Sequence, residues 1–204
     1  MHLKTVKEKI MEDAAIVKGL RLGDKTAFDE LYEKYHLQLY RNAFLITGDQ
    51  MDAEDVLQNT FVTAWRNIKK LKNPESLKYW LFRIMTREAW KTGRSKEIPD
   101  AEIVSKADEY QWKYEDHTDP AERFSDRERI ITALHMLDIK HREVIILFYY
   151  EGMSVKEIAS SLGCFEGTVK SRLNTAKRKL KTVFETTDNE NIEEMEDKRD
   201  VGVI

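Results

Sequence analysis

A helix-turn-helix is predicted from residues Leu134 to Leu180, which have the sequence LHMLDIKHREVIILFYYEGMSVKEIASSLGCFEGTVKSRLNTAKRKL. Ser154 and Glu157 form a capping-box pattern at the start of a short helix that ends near Leu162. Gly163 can adopt the positive φ of a sharp turn, and a second helix begins after it. Because apolar residues recur at helical spacing in both segments, we expect two helices packed across a tight turn on a supporting helix.

The second helix is strongly basic. Between Phe165 and Phe184 it holds six lysines and arginines and a single acidic residue, Glu166. In helix-turn-helix proteins the N-terminal half of this helix contacts base edges, while basic side chains contact phosphates. We therefore expect DNA binding, although charge alone would equally fit a solvated face on an ordinary helical hairpin. The candidate contact residues are Thr168, Lys170, Ser171, Arg172, Asn174, Thr175, Lys177 and Arg178.

The strings EGMSVKEIASSLG and EGTVKSRL carry a specific resemblance. The run from Leu137 to Leu180 resembles the C-terminal domain of bacterial extracytoplasmic-function (ECF, group IV) sigma factors of the sigma-70 family. The resemblance implies that the helix from Glu166 to Lys179 enters the major groove of the minus-35 promoter element. It further implies that this sigma region 4 domain binds the β flap of RNA polymerase.

The composition of the whole chain predicts an all-α protein. Of its 204 residues 41% are hydrophobic and 35% charged, with three prolines, eight glycines and little alternation of β-branched residues. No apolar run approaches the ~20 residues of a membrane span, and no signal-peptide core is present, so we expect a cytoplasmic protein without membrane insertion. The single cysteine, Cys164, fits a reducing compartment, and the scattered histidines predict no metal site or cofactor.

Residues 1–95 are expected to form a first domain, a helical bundle. Within it, a helix from about Asp52 to Lys70 has one core face and one polar face. Acidic residues in its first turn are otherwise explained as partners of the helix dipole. The segment DAEDVLQNTFVTAW is nevertheless similar to the sigma region 2 segment that docks on the β′ clamp coiled coil of RNA polymerase. By this resemblance the polymerase-binding residues are Asp52, Asp55, Gln58, Asn59 and Val62.

The next predicted helix, from about Ser76 to Gly93, combines basic residues with Trp90 on the side opposite its core face. This combination suits a single-stranded or melted nucleic acid, while a solvated basic face with Trp90 as a lid on the core is the alternative. The segment PESLKYWLFRIMTREAWK resembles the minus-10 recognition and melting segment of the family. The minus-10 candidates are Asn73, Lys78, Arg83, Arg87, Trp90, Lys91 and Arg94.

Two segments are predicted to lack a packed fold of their own. Residues 96–124 are expected to form a flexible linker between the first domain and the helix-turn-helix domain of residues 125–184. Residues 185–204 hold eight acidic and two basic residues, and we expect a disordered acidic tail. A sharper hypothesis is that this tail competes with DNA for the basic second helix.

The resemblance covers roughly residues 20 to 184 and implies an alternative sigma factor rather than an enzyme. Such a protein binds core RNA polymerase and directs stress-responsive transcription initiation from promoters with minus-35 and minus-10 elements, under the control of an anti-sigma factor. A dimeric operator-binding regulator is a second interpretation, but it lacks a heptad zipper or ligand-binding domain. A metal-dependent enzyme using Asp49, Asp52, Glu54 and Asp55 is a third, disfavoured because adjacent helical residues diverge by ~100°.

Overall fold

The computed structural model of the protein describes residues 6–93 and 129–200, with side chains described for residues 11–92 and 129–185. These ranges contain helices and no β-strand, as the all-α prediction requires. The helices are α1 (Val6–Leu22), α2 (Lys25–Thr47), α3 (Gln50–Asn67), α4 (Leu77–Gly93), α5 (residues 129–135), α6 (Ile139–Ile145), α7 (Val155–Leu162) and α8 (Glu166–Asp200). A π-helical turn, Ile146–Tyr150, extends α6, and 3-10 turns, Ile68–Lys70 and Pro74–Ser76, join α3 to α4.

The first domain is a bundle in which α3 packs between α2 and α4, and α1 packs on α2. Its core contains the fully buried side chains of Leu31, Leu39, Leu81 and Phe82. Burying each of these side chains stabilises the fold by about 1.5–3 kcal/mol. The apolar stripe of α2 therefore packs as core, and the caps at either end of α2 set its length: Asp24 accepts from the Thr26 amide, and Gly48 ends the helix.

The second domain is the predicted helix-turn-helix. Ser154 and Glu157 form the expected capping box at α7, and Gly163 has a φ of 65° at its C-cap. Ile158 of α7 and Leu173 of α8 are buried; α8 packs on the support helix α6, and α7 packs on α8 and on the π-helical turn. The N-cap of α6 is Asp138, whose carboxylate accepts from the His141 amide.

Several helix boundaries differ from those predicted. Helix α3 begins at Gln50 rather than about Asp52, because Asp49 is its N-cap and accepts from the Asp52 amide, and α4 begins at Leu77 rather than about Ser76. The last three residues of the predicted α3 form a 3-10 turn instead. Residues 96–124, the predicted linker, lie outside the described residues.

The acidic C-terminal segment also differs from the prediction. Disorder was expected from residue 185, but the backbone of α8 continues as helix to Asp200. No glycine or proline occurs between Thr168 and Asp200, so the chain contains no residue that breaks a helix there.

The two domains pack against each other, an arrangement that the sequence leaves undetermined. Helix α4 lies against α7, and α2 and α4 also contact α6. Arg142 of α6 is buried and donates to the carbonyl oxygens of Leu134, His135, Leu137 and, in the first domain, Ile46. One guanidinium therefore satisfies carbonyl groups near the C-terminal ends of α5 and α2.

A second contact between the domains joins Gly48 to His135. The imidazole lies so close that a Cβ on Gly48 would be 2.8 Å from its Nδ1. Burial, followed by the charge of Arg142, lowers the pKa of His135 to about 3. The ring is therefore neutral at physiological pH and packs as part of the interface.

We expect Gly48→Ala to destabilise the protein more than Gly23→Ala. Both glycines have a positive φ, 77° and 78°, and share a cost of about 1 kcal/mol for a side chain in that conformation. A Cβ at Gly23 meets no atom within 4 Å, whereas one at Gly48 collides with His135. Urea unfolding should show a further loss of about 1–3 kcal/mol for Gly48→Ala. Equal losses would contradict the interdomain contact.

Candidate nucleic-acid and polymerase interfaces

Most of the predicted minus-35 residues lie on the face of α8 opposite its core positions. Val169, Leu173 and Ala176 are buried, which turns the other side of the helix outward. Exposed on that side are Lys170, Ser171, Asn174, Lys177 and Arg178, while Thr168, Arg172 and Thr175 are half-buried. Most of the predicted contact face is therefore accessible in this arrangement of the domains.

Arg172 is the member of this group that points into the interface between the domains. Its Nη1 donates to Oε1 of Glu143 over 3.1 Å, and the Glu143 side chain has no exposed surface. The other carboxylate oxygen, Oε2, accepts from Nε1 of Trp90 over 2.7 Å. One buried carboxylate thus joins a predicted minus-35 residue to a predicted minus-10 residue.

The predicted minus-10 residues of α4 and its approach divide into two groups. Asn73, Arg87 and Lys91 are exposed, and Lys91 pairs with Glu88 on its own helix. Lys78, Arg83 and Trp90 instead face the second domain. Arg94 lies outside the described residues. From the sequence, Trp90 was expected either to contact nucleic acid or to cover the core of its own domain. In the structure its indole N–H instead donates a hydrogen bond to Glu143 of the second domain.

Arg83 packs on the turn of the helix-turn-helix. A Cβ on Gly163 would lie 2.7 Å from Nη2 of Arg83, so the guanidinium fills the space that the glycine leaves. The Nε of Arg83 is buried and makes no hydrogen bond within the described part of the chain. An unsatisfied guanidinium N–H is costly, and a carboxylate or phosphate oxygen would satisfy it.

Glu151 and Glu157 extend the polar contacts between the domains. The Glu151 side chain, 4% exposed, accepts from the amides of Gln38 and Asn42 and lies 3.3 Å from Nζ of Lys78. Glu157 accepts from the hydroxyl of Tyr79. Burial and this bond raise the pKa of Tyr79 to about 12.

Most of the predicted polymerase-binding face of α3 is exposed to solvent. Asp55, Gln58, Asn59 and Val62 are exposed, and their spacing of three and four residues puts them on one side of the helix. Asp52, also predicted to lie on this face, is buried, so that placement is wrong. Asp52 is four residues before Val56 and eight before Thr60, and it therefore shares the side of α3 on which these two buried residues lie.

A groove beside this face adds apolar surface. Its volume is about 460 Å³, and it lies between α2 and α3. Tyr32 and Leu37 of α2 and Val62 of α3 line it and are each about 40% exposed. The α3 face therefore presents an acidic group, amides and an apolar groove together.

The structure does not assemble the acidic residues considered for a metal-dependent enzyme. Asp49 caps α3 and Asp52 is buried, whereas Glu54 and Asp55 are exposed. Among the residues with described positions, no cluster of three His, Cys, Asp or Glu side chains could hold a metal ion. Nor does any helix in those ranges have the length and apolarity to span a membrane.

Sequence reasoning missed the residues that hold the domains together. Glu143 and Glu151 lie within or beside the run HREVIILFYY, which was predicted only to support the helix-turn-helix. Their partners Gln38, Asn42 and Tyr79 carried no predicted role. A charged residue inside an otherwise apolar run was the available signal, because such residues are buried only with partners.

Glu143 should make the stability of the protein depend on pH. Burial raises its pKa to about 7, against the hydrogen bond from Trp90 and the charge of Arg172, which lower it. The unfolded chain releases this proton near pH 4.5, so the stabilising contribution is complete below that pH and is lost as the pH rises to about 7. A glutamine at this position resembles the protonated acid but cannot ionise. The Glu143→Gln variant therefore does not lose this stability as the pH rises.

We therefore expect the unfolding free energy of Glu143→Gln, relative to wild type, to increase between pH 4.5 and 7. The increase should be on the order of 2 kcal/mol. Urea unfolding across this range measures it, with Glu33→Gln on the exposed side of α2 as the matched control. A difference that does not change with pH would show that Glu143 is ionised in the folded protein throughout.

Two family models match the two domains separately. Residues 31–97 match the model described as Sigma-70 region 2, and residues 127–180 match Sigma-70, region 4. The exposed faces of α3 and α8 and the minus-10 candidates of α4 all lie within these matches.

Known proteins match the chain over most of its length. It is 33% identical over 172 residues to "ECF RNA polymerase sigma factor SigL" of Mycobacterium tuberculosis (strain H37Rv), covering 84% of this chain and 96% of the relative. It is 29% identical over 188 residues to "RNA polymerase sigma factor NccH" of Alcaligenes xylosoxydans xylosoxydans, covering 86% of this chain and 96% of the relative.

Solved structures support the same assignment. The structure of CnrH in complex with the cytosolic domain of CnrY matches with a TM-score of 0.65 and 26% identity, over 86% of this chain and 98% of the other. The sigma factor RpoE of Bartonella quintana, in complex with the anti-sigma factor NepR, matches with a TM-score of 0.59 and 26% identity. This match covers 78% of this chain and 96% of the RpoE chain. The chain therefore belongs to the ECF sigma factors of the sigma-70 family, which direct transcription initiation by RNA polymerase.

Proposed function

We propose that the exposed face of α3 docks this sigma factor on the β′ clamp coiled coil of RNA polymerase. The face offers the carboxylate of Asp55, the amides of Gln58 and Asn59, and the apolar side chain of Val62 beside the groove. A basic, amphipathic helix pair is complementary to such a surface, because charge steers its approach and apolar contact holds it. Asp52 is not part of this proposal, since it is buried.

The N-terminal half of α8 is proposed to recognise the minus-35 element. The observation that supports this most directly is the exposure of Lys170, Ser171 and Asn174 on the side of α8 opposite its buried residues. Lysine and asparagine side chains can donate to purine acceptors in the major groove. Lys177 and Arg178, further along the helix, suit phosphates.

The minus-10 element is proposed to bind α4 and the turn before it. Arg83, Arg87, Lys91 and Trp90 combine positive charge with an aromatic ring, as binding of melted DNA requires. The β flap is the proposed partner of the second domain. In this role the protein performs no catalysis of its own and acts in the cytoplasm, where the polymerase transcribes.

We infer that a regulatory protein of the anti-sigma kind also binds this chain. The support comes from the solved relatives, since RpoE was determined with the anti-sigma factor NepR and CnrH with the cytosolic domain of CnrY. Both matches extend over more than three quarters of this chain and therefore include parts of both domains.

Asp55→Arg should abolish promoter-specific initiation in a reconstituted assay with core RNA polymerase. The substitution reverses the one charge among the four residues of the proposed docking face, Asp55, Gln58, Asn59 and Val62. Glu30→Arg makes the same change at another exposed position of the first domain and is expected to leave initiation intact. Equal activity of the two variants would contradict docking through α3.

Lys170→Ala should weaken binding to duplex promoter DNA by about tenfold and change the preferred minus-35 sequence, because one base contact is typically worth about 1–3 kcal/mol. Selection from a randomised minus-35 pool measures both effects. Lys181→Ala removes an exposed charge from the distal part of α8 and should lower affinity without changing preference. An unchanged sequence preference in Lys170→Ala would exclude this residue from base recognition.

A further inference from the structure

An exposed aromatic ring lies at the beginning of α8. Phe165 directly precedes the first residue of the helix, and it is 87% exposed, the highest value among the large apolar residues whose side chains are described. Its carbonyl oxygen accepts from the amides of Thr168 and Val169 over 2.9 and 3.2 Å. Phe165 is therefore the N-cap of α8, held to the helix by its backbone while its ring projects into solvent.

Phenylalanine is a poor choice for this position on grounds of stability. An N-cap serine, threonine, aspartate or asparagine accepts a hydrogen bond from an amide of the first turn, and phenylalanine has no such acceptor. The neighbouring helix α7 follows the preference, because Ser154 caps it and accepts from the Glu157 amide. Exposure of the ring also forgoes the burial by which aromatic residues stabilise a fold. Such local departures from the rules of stability are typical of positions that serve binding.

The end of α8 next to Phe165 is not covered by the rest of the described chain. Glu166 and Gly167 are exposed beside it. A Cβ on Gly167 would meet nothing within 4 Å beyond its chain neighbours and its own helix. The first turn of the helix is therefore accessible to a partner, although Val169 is fully buried within the domain.

The position of Phe165 in the domain favours DNA as the molecule that covers the ring. The N-terminal residues of the second helix of a helix-turn-helix contact base edges in the major groove, and helical side chains lean toward the N-terminus of their helix. Lys170, Ser171 and Asn174, proposed above to recognise the minus-35 element, follow Phe165 by five to nine residues. Docking that brings these residues to the bases also brings the ring into the groove.

The ring is suited to a base edge and not to the phosphate backbone. It has no hydrogen-bond donor for a phosphate, and the carboxylate of the adjacent Glu166 would be repelled by one. The major groove displays one apolar group, the C5 methyl group of thymine, and phenylalanine is among the side chains that contact it. Such a contact removes apolar surface of both partners from water.

We propose that the Phe165 ring contacts the C5 methyl group of a thymine in the minus-35 element and thereby contributes to promoter specificity. The proposal rests on the proposed function, which places the N-terminal half of α8 in the major groove. It adds a thymine to the bases that the polar residues of α8 recognise. Because the contact is apolar, it should depend much less on salt than the contacts of lysine and arginine with phosphates.

The test removes the ring and the methyl group separately. Core RNA polymerase carrying the wild-type protein or Phe165→Ser is first used to select promoters from a randomised minus-35 pool. The selection should identify a thymine that the wild type prefers and the variant does not. Deoxyuridine, which lacks the methyl group, then replaces that thymine in a fluorescein-labelled duplex promoter. We expect the replacement to weaken binding of the wild-type holoenzyme about fourfold, the factor for one buried methyl group, and to leave binding by Phe165→Ser unchanged.

Two controls separate this role from a structural one. Serine restores an N-cap acceptor, so Phe165→Ser should unfold at a temperature equal to or above that of the wild type. Leu22→Ser makes the same kind of change at the end of α1, where Leu22 is 80% exposed. This variant should keep the wild-type sequence preference and the wild-type response to deoxyuridine.

The proposal is overturned if Phe165→Ser loses no thymine preference, or if deoxyuridine weakens both proteins equally. Poor assembly of Phe165→Ser with core polymerase, with its base preference unchanged, would assign the ring to a protein interface and overturn the proposal as well. Lys170→Ala, selected in parallel, distinguishes this failure from that of the proposed function. If Lys170→Ala alone changes the preferred sequence, only the role of Phe165 is wrong; if neither variant changes it, α8 does not recognise the minus-35 element.

Discussion

The buried carboxylate of Glu143 is the contact on which the arrangement of the whole molecule depends. It accepts from Trp90 of the first domain and Arg172 of the second, and it has no exposed surface. A buried carboxyl group in that position needs hydrogen-bond donors from both sides, because a buried polar group that is left unpaired is costly. Packing of the domains supplies those donors, and the same packing determines which surfaces of the sigma factor face solvent.

The rest of the interface follows the same chemistry. Arg142, adjacent to Glu143, satisfies carbonyl groups of α5 and α2, while Glu151 and Glu157 accept from side chains of α2 and α4. These hydrogen bonds accompany apolar contacts, because the buried apolar residues of the two domains form one continuous cluster. Each domain nevertheless contributes fully buried residues to that cluster, such as Leu81 of the first and Ile158 of the second. The fold thus suits a protein that must hold two promoter elements with two separate domains.

Local structure could be predicted from the sequence because its causes are local. The capping box of Ser154 and Glu157 and the turn at Gly163 each depend on residues a few positions apart. The contacts between domains join residues 53 to 113 positions apart, and no periodicity encodes such pairs. Projection onto a helix likewise misplaced Asp52, since it could not show which neighbours cover the first turn of α3.

The distance between the domains, in the free chain and in the initiation complex, tests the account most directly. Cysteines introduced as Lys18→Cys and Lys181→Cys on exposed helix faces, with Cys164→Ser, would carry spin labels for pulsed electron paramagnetic resonance. With the domains packed as described, we expect one narrow, short distance in the free protein, replaced by a longer one when core polymerase and promoter DNA are added. A broad distribution in the free protein, or a short distance retained in the complex, would contradict it.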